Sequence, residues 1–331
     1  MFTLLRLGVL AAVLGCVVSV PAGAATEKNG SIAEQQLRHI ATYFPGRMAG
    51  SPAEMLTADY LQQQFSQMGY QSDRRRFNSR YAYRHQDGQQ TWRNVSATSV
   101  IAAREGNVPQ QIVIIAHSDS WPPHNDAELQ NNLGGLTAQA ADSNASGLGV
   151  MLELAERLRA EPLHYSLRFV ALSGEEMGQL GSEDYISRMK PEEKKNTLLV
   201  INLNSLIVGN TLAFSSGSNT PKAVARQTRD RALALAKRNG VNAVGLTDKN
   251  ADASLFDRAG FPLLTVSTSD GPEKKVPAVL RQHFPVALRH QAQRDNLAYI
   301  DRWLPGRITS RTHASVTVLL PLIRELANPR T

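Results

Sequence analysis

The sequence predicts an α/β fold: a single domain built on a mixed, centrally parallel twisted sheet covered by helices on both faces. Three observations carry this expectation. Near-continuous apolar runs such as Ile112-Val113-Ile114-Ile115-Ala116 and Leu167-Arg168-Phe169-Val170-Ala171-Leu172 alternate with helix-length segments, the rhythm of strands buried on both faces and joined by crossovers. Polar clusters follow directly after these runs, at the edge where open α/β sheets keep their sites. No internal repeat or low-complexity linker divides the chain, and its 331 residues are ample for one large core.

Residues 1–24 stand apart from that fold. Arg6 precedes a mostly apolar stretch over 7–20, and Ala22-Gly23-Ala24 offers small residues for cleavage, the pattern of a secretory leader. The apolar run is short for a membrane span, so no stable membrane anchor is expected after cleavage. The folded chain is expected from residue 25 to 331, exported, in the periplasm or secreted. The sole cysteine, Cys16, lies in the leader. Val13-Leu14-Gly15-Cys16 faintly resembles a lipoprotein box, but Val17 and Val18 follow it. The processed chain therefore has no thiol for a disulfide. Its net charge of +7 falls to +6 without Arg6. Apart from Arg74-Arg75-Arg76 the basic residues are scattered, which argues against a nucleic-acid partner.

The elements follow in order. Helix-forming sequence covers Ser31–Tyr43, with Ile32, Leu37 and Ile40 among its apolar positions. A turn at 44–50 leads to Ser51-Pro52, a helix cap with proline at the first position, and Gly69 stops that helix. Strands over 74–83 and 92–103 pair around Asp87-Gly88. Strand 111–116, helix 145–160, strand 166–173, helix 181–190 and strand 197–204 come next. Strand 211–215, helix 219–239, strand 262–267 and a last helix over 311–327 complete the chain. The stretch 282–301 is long and irregular, and such loops often carry function.

The chemistry lies at three strand ends. His117-Ser118-Asp119 closes strand 111–116, and residues two apart in a strand point the same way. There His117 can bind a metal while Asp119 orients a neighbour. Asp142-Ser143-Asn144-Ala145-Ser146-Gly147 opens a helix. Gly174-Glu175-Glu176 closes strand 166–173. Adjacent buried carboxylates repel and call for a cation or a raised pKa. One can ligate zinc while the other acts as base on metal-bound water. A surface His-Asp pair and a solvated acidic turn are the simpler readings of each motif alone.

Together, His117-Ser118-Asp119-Ser120, the block 140–147 and Gly174-Glu175-Glu176-Met177-Gly178-Gln179-Leu180-Gly181-Ser182 resemble the zinc-dependent aminopeptidase family with co-catalytic metals, which also contains glutaminyl cyclase. The likeness extends to Pro45-Gly46-Arg47 and Ala49-Gly50-Ser51-Pro52. It implies His117 as a zinc ligand, Asp119 as the carboxylate that orients it, Glu175 as general base and Glu176 as a ligand. His290 matches the final His ligand, with Asp295-Asn296 after it and His283 as a nearby competitor.

Two positions depart from the family pattern. Ser143 stands where the metal-bridging Asp belongs, and Asn204 where a later Asp ligand belongs. Asp142 matches the non-ligating acid of the pair and could substitute only if the turn shifted by a residue. The segment 251–256 matches a substrate-side region but lacks the cysteine pair of close relatives. Two dications about 3.5–4 Å apart need several carboxylates and a bridging anion. The family site holds two zinc ions, but with Glu176 the only acidic ligand left, charge balance points to one zinc held by His117, Glu176 and His290; two are not expected, and a chain without zinc is the alternative. The implied partners are the N-termini of peptide or protein substrates, with the oligomeric state undetermined. Three functions follow: an aminopeptidase-like hydrolase, an inactive member that binds peptides or proteins, or a cyclase, which suffers from the same missing Asp. The insert 121–136 could shape the pocket, and its His124 and Asp126 are candidate replacement ligands.

Overall fold

The structure is a computed structural model that describes residues 27–131, 135–246 and 254–329. The leader expected at 1–24, residues 132–134 of the insert and residues 251–253 of the substrate-side segment lie outside the described residues. In chain order the elements are α1 (Ser31–Tyr43), α2 (Pro52–Gln67), β1 (Gln71–Arg84), β2 (Gln90–Arg104), β3 (Val108–His117), α3 (Asp126–Asn131), α4 (Ser146–Leu158), β4 (Tyr165–Leu172), α5 (Leu180–Arg188), α6 (Pro191–Asn196), β5 (Thr197–Leu203), β6 (Thr211–Ser216), α7 (Lys222–Ala225), α8 (Arg231–Arg238), β7 (Ala243–Leu246), α9 (Ser254–Arg258), β8 (Leu263–Ser269), α10 (Ala278–His283), α11 (Leu297–Trp303) and α12 (Arg307–Ala327).

The strands form one eight-stranded sheet in the order β1-β2-β4-β3-β5-β8-β6-β7. Its centre, β4-β3-β5-β8, is parallel. The β1–β2, β2–β4 and β8–β6 pairings are antiparallel, which makes the sheet mixed, as the sequence predicts. Alternation along the central strands sends side chains to two cores. Ile112, Ile114, Phe169, Ile201 and Val266 pack with α1, α4 and α12. Val113, Ile115, Val170, Val200 and Leu263 pack with Tyr185 of α5, Phe256 of α9 and Phe261. Burial on both faces explains why these strands read as unbroken apolar runs. Each such side chain contributes about 1.5–3 kcal/mol by leaving water.

Local signals place the first helices. Ser51 accepts the N–H of Glu54, with Pro52 in the first helical turn. The carboxylate of Glu153, buried in α4, accepts the N–H groups of Gly30 (2.9 Å) and Ala33 (2.8 Å), so α1 begins on a negative charge from the helix it packs against.

The differences from the sequence expectation are local. The single helix expected over 219–239 is α7 and α8 joined through a π-turn at Arg226–Asp230. β7 has no counterpart in the sequence expectation, because four residues interrupted by Gly245 give no usable period. The irregular stretch 282–301 ends inside α11, which is capped by Asn296 accepting from Tyr299 N–H. Among the described residues no helix is long and apolar enough to cross a membrane.

Candidate active site

Because β3, β4 and β5 run parallel, their carboxyl ends share one edge of the sheet, and the three strand-end motifs meet there. His117 is the last residue of β3, Glu175 and Glu176 follow β4, and Asn204 follows β5. The turn 141–145 sits beside them at the head of α4.

His117 is buried. Its Nδ1 lies 3.0 Å from the carbonyl oxygen of Asp119 and 3.6 Å from that residue's carboxylate. A carbonyl only accepts, so Nδ1 carries the proton, and in a neutral ring Nε2 presents its lone pair. That Nε2 stands 3.7 Å from Glu176 Oε1. The Asp119 carboxylate itself is engaged by the N–H groups of Glu175 (3.2 Å) and Glu176 (3.1 Å). Asp119 thus orients the imidazole mainly through its main chain, while its carboxylate fixes the loop carrying both glutamates.

Glu175 is held by Ser182, whose N–H donates to Oε1 (2.6 Å) and whose hydroxyl donates to Oε2 (2.8 Å). Burial, with the Asp119 charge adding to it, pushes the Glu175 carboxyl up to about 8, against the Ser182 hydrogen bonds and the influence of His117.

In the turn, Ser143 and Asn144 depart from helical backbone, and the peptide bond between them is cis. Asn144 hooks the turn onto β5: its Nδ2 donates to Leu203 O (2.8 Å), and its Oδ1 accepts from Gly147 N (3.1 Å) and Ser205 N (3.2 Å). The Oδ1 of Asp142 accepts from Ile207 N (2.7 Å) and Val208 N (3.3 Å). Ser143 faces the centre instead, its Oγ 3.5 Å from His117 Nε2 and 3.3 Å from Glu176 Oε1. Asn204 is buried, and its Oδ1 accepts from the Ser205 hydroxyl at 3.3 Å.

The candidates from the loops behave differently. His290 is exposed and stacks on Trp121, with ring centroids 5.6 Å apart. His283 stacks on Trp303 and meets Tyr299 Oη at 3.0 Å, within an aromatic cluster. Asp126 accepts from Tyr83 Oη and Gln86 N, both at 2.7 Å, at the β1–β2 hairpin. It therefore serves as an anchor of the insert. His124 does reach the site, but through main chain: its Nε2 lies 3.0 Å from the carbonyl oxygen of Glu176.

Sequence reasoning missed the frame beneath these groups. Arg47 is completely buried and donates to the carbonyls of Ser118 (3.0 Å), Gln139 (2.6 Å) and Ala140 (2.8 Å). Burial pushes its guanidinium down to about 10, while the Asp295 and Asp119 charges act in the opposite sense. Asp295 accepts from Asp142 N (2.6 Å) and Ser143 N (3.1 Å). Burial and the neighbouring Asp142 raise its pKa. Glu54, buried behind Asp119, accepts from Thr98 N at 2.7 Å. Burial, with the Asp119 charge adding to it, lifts it to about 7. The only signal for Arg47 was its place in Pro45-Gly46-Arg47.

The donor set decides which ion fits. Among the described residues no group of three His, Cys, Asp or Glu side chains converges on a point, so the set of His117, Glu176 and His290 expected from the sequence is not gathered. Among the described residues, Glu176 is the carboxylate that lies against both His117 Nε2 and Ser143 Oγ. One ion does fit: the lone pair of Nε2 and the Oε1 carboxylate oxygen face each other at 3.7 Å, a spacing that a cation between them relieves.

The sequence matches peptidase family M28 over residues 99–316. The alkaline phosphatase isozyme conversion protein of Escherichia coli is 51% identical over 348 residues, covering 99% of each chain. Among solved structures, BSAP, a zinc aminopeptidase from Bacillus subtilis, superposes with a TM-score of 0.70 at 14% identity, covering 92% of this chain and 96% of that one. Porphyromonas gingivalis glutaminyl cyclase gives 0.67 at 18% identity, covering 90% and 99%. At these identities the two structures establish the shared fold alone.

Proposed function

We propose that this chain, which belongs to peptidase family M28, is an aminopeptidase-like hydrolase that removes N-terminal residues from peptides or proteins and works with a single zinc ion. The observation that supports it most is a partly buried Glu175 whose carboxyl feels the charge of His117, which itself faces Glu176. A zinc ion held by His117 and Glu176 would supply Lewis acidity at the scissile carbonyl and a more acidic water. Glu175 holds the proton taken from the attacking water on its carboxylate, and Ser182 fixes both of that carboxylate's oxygens while it does so. Asp119 keeps the Glu175–Glu176 loop in register through the two main-chain amides.

The test is hydrolysis of a panel of chromogenic aminoacyl substrates by zinc-loaded protein. Glu175→Gln should lower kcat/KM by about 10²–10⁴, chelation should abolish turnover, and zinc should restore it. Unchanged turnover in Glu175→Gln would refute the assignment of the base. The neutral side chains at Ser143 and Asn204 favour a second reading, a cleft that binds peptides without cleaving them. Peptide binding by zinc-loaded protein with no turnover on any substrate would establish it. We further propose that residues 1–24 direct export and are then removed. Sequencing the N-terminus of the protein recovered from the periplasm should start at Ala25, and an intact Met1 would refute this.

A further inference from the structure

We infer that the Ser143 hydroxyl is itself the third protein ligand of the metal, completing a His117–Ser143–Glu176 tripod; this inference rests on the one-zinc reading above. Its basis is a triangle of three atoms. Nε2 of His117, Oγ of Ser143 and Oε1 of Glu176 are separated by 3.5, 3.3 and 3.7 Å. The point equidistant from all three lies about 2.0 Å from each, the zinc–nitrogen and zinc–oxygen bond length. These three side chains would hold a zinc ion, and water or substrate would complete its coordination. Of the other described candidates, Asp142 commits its Oδ1 to Ile207 and Val208, and His290 stacks on Trp121.

The position of Ser143 is imposed by its surroundings. Its N–H is held by Asp295 at 3.1 Å. The next residue, Asn144, is tied to Leu203, Gly147 and Ser205. These bonds involve no atom of the Ser143 side chain, so changes to that side chain leave the turn's anchoring intact. A hydroxyl is a neutral and weaker donor than the carboxylate of the family pattern. The tripod carries one negative charge, from Glu176, and its affinity should rise if position 143 becomes acidic.

The test uses the full-length chain, exported with its own leader, stripped with chelator and titrated with Zn²⁺ against a chromophoric competitor. The tripod predicts one site, weakened about tenfold or more by Ser143→Ala, tightened about tenfold or more by Ser143→Asp, and little altered by His290→Ala. Circular dichroism of each metal-free variant checks that it is folded. A second readout is independent of affinity. Cobalt-loaded Ser143→Cys should show a sulfur-to-cobalt charge-transfer band in the near ultraviolet, absent from the cobalt-loaded parent. Zinc affinity untouched by Ser143→Ala but lost in His290→Ala, or a Ser143→Cys protein without the band, overturns the tripod and leaves the one-zinc reading standing. A parent chain that binds no zinc at any concentration overturns both.

Discussion

Asp119, Asp142 and Asp295 lie within a few residues of His117, Ser143 and His290 in sequence, yet the two groups differ in what their side chains meet. Each of these aspartates accepts from two consecutive main-chain amides: Asp119 from Glu175 and Glu176, Asp142 from Ile207 and Val208, Asp295 from Asp142 and Ser143. Arg47 supplies the buried countercharge beside Asp119 and Asp295 while pinning the Ser118 and Ala140 carbonyls. The proposed ligand positions above this frame carry fewer charges, with serine at 143, and asparagine stands at 204. The frame is assembled from hydrogen bonds that need no ion. Loop shape and metal affinity should therefore be separable in this protein, with frame substitutions affecting stability and ligand substitutions affecting zinc.

Arg47→Met should produce the largest effect. It strands the charges of Asp119 and Asp295 and releases the pinned carbonyls, for a loss of about 3–5 kcal/mol, read by urea unfolding of metal-free protein. Arg47→Lys should not restore it, because an ammonium cannot span the same acceptors. A loss below about 1 kcal/mol would remove the frame from the account.

Glu54 gives the next effect, and its sign is fixed by the raised pKa. The folded group titrates near 7 against an ordinary value of 4.5, so the native state holds the proton more tightly than the unfolded chain. The stability it contributes is present below pH 4.5 and is lost as pH rises through 7. Across that window the loss is about 3 kcal/mol at most. Glu54→Gln should flatten the parent's fall in stability over the same range. Identical pH profiles for the two proteins would show that Glu54 is not buried as an acid.

The smallest effect on stability should come from the ligand row. Glu176→Ala, measured without metal, should change the unfolding free energy by less than about 1 kcal/mol while losing zinc. A large loss without metal would erase the distinction between frame and ligand layer.

The same contrast marks how much was legible beforehand. The strand ends were readable because β3 and β4 are apolar runs closed by polar motifs, and that pattern places His117, Glu175 and Glu176 at one edge whatever the rest of the chain does. The absence of an acid at 143 could likewise be read directly. Which atoms those residues meet could not. The direction of Asp142 depends on the loop after β5, and the surroundings of His290 depend on Trp121 in the insert, contacts made across long sequence separations. Arg47 was hardest to foresee, since an arginine in a turn reads as solvated surface until the loops that bury it are in place.

The most direct test of the central claim is the zinc content of protein purified without chelator, counted by elemental mass spectrometry. About one zinc per chain is expected, lost in Glu176→Ala. Two zinc ions per chain would contradict the argument from neutral ligands, and none, even after incubation with excess metal, would contradict the hydrolase.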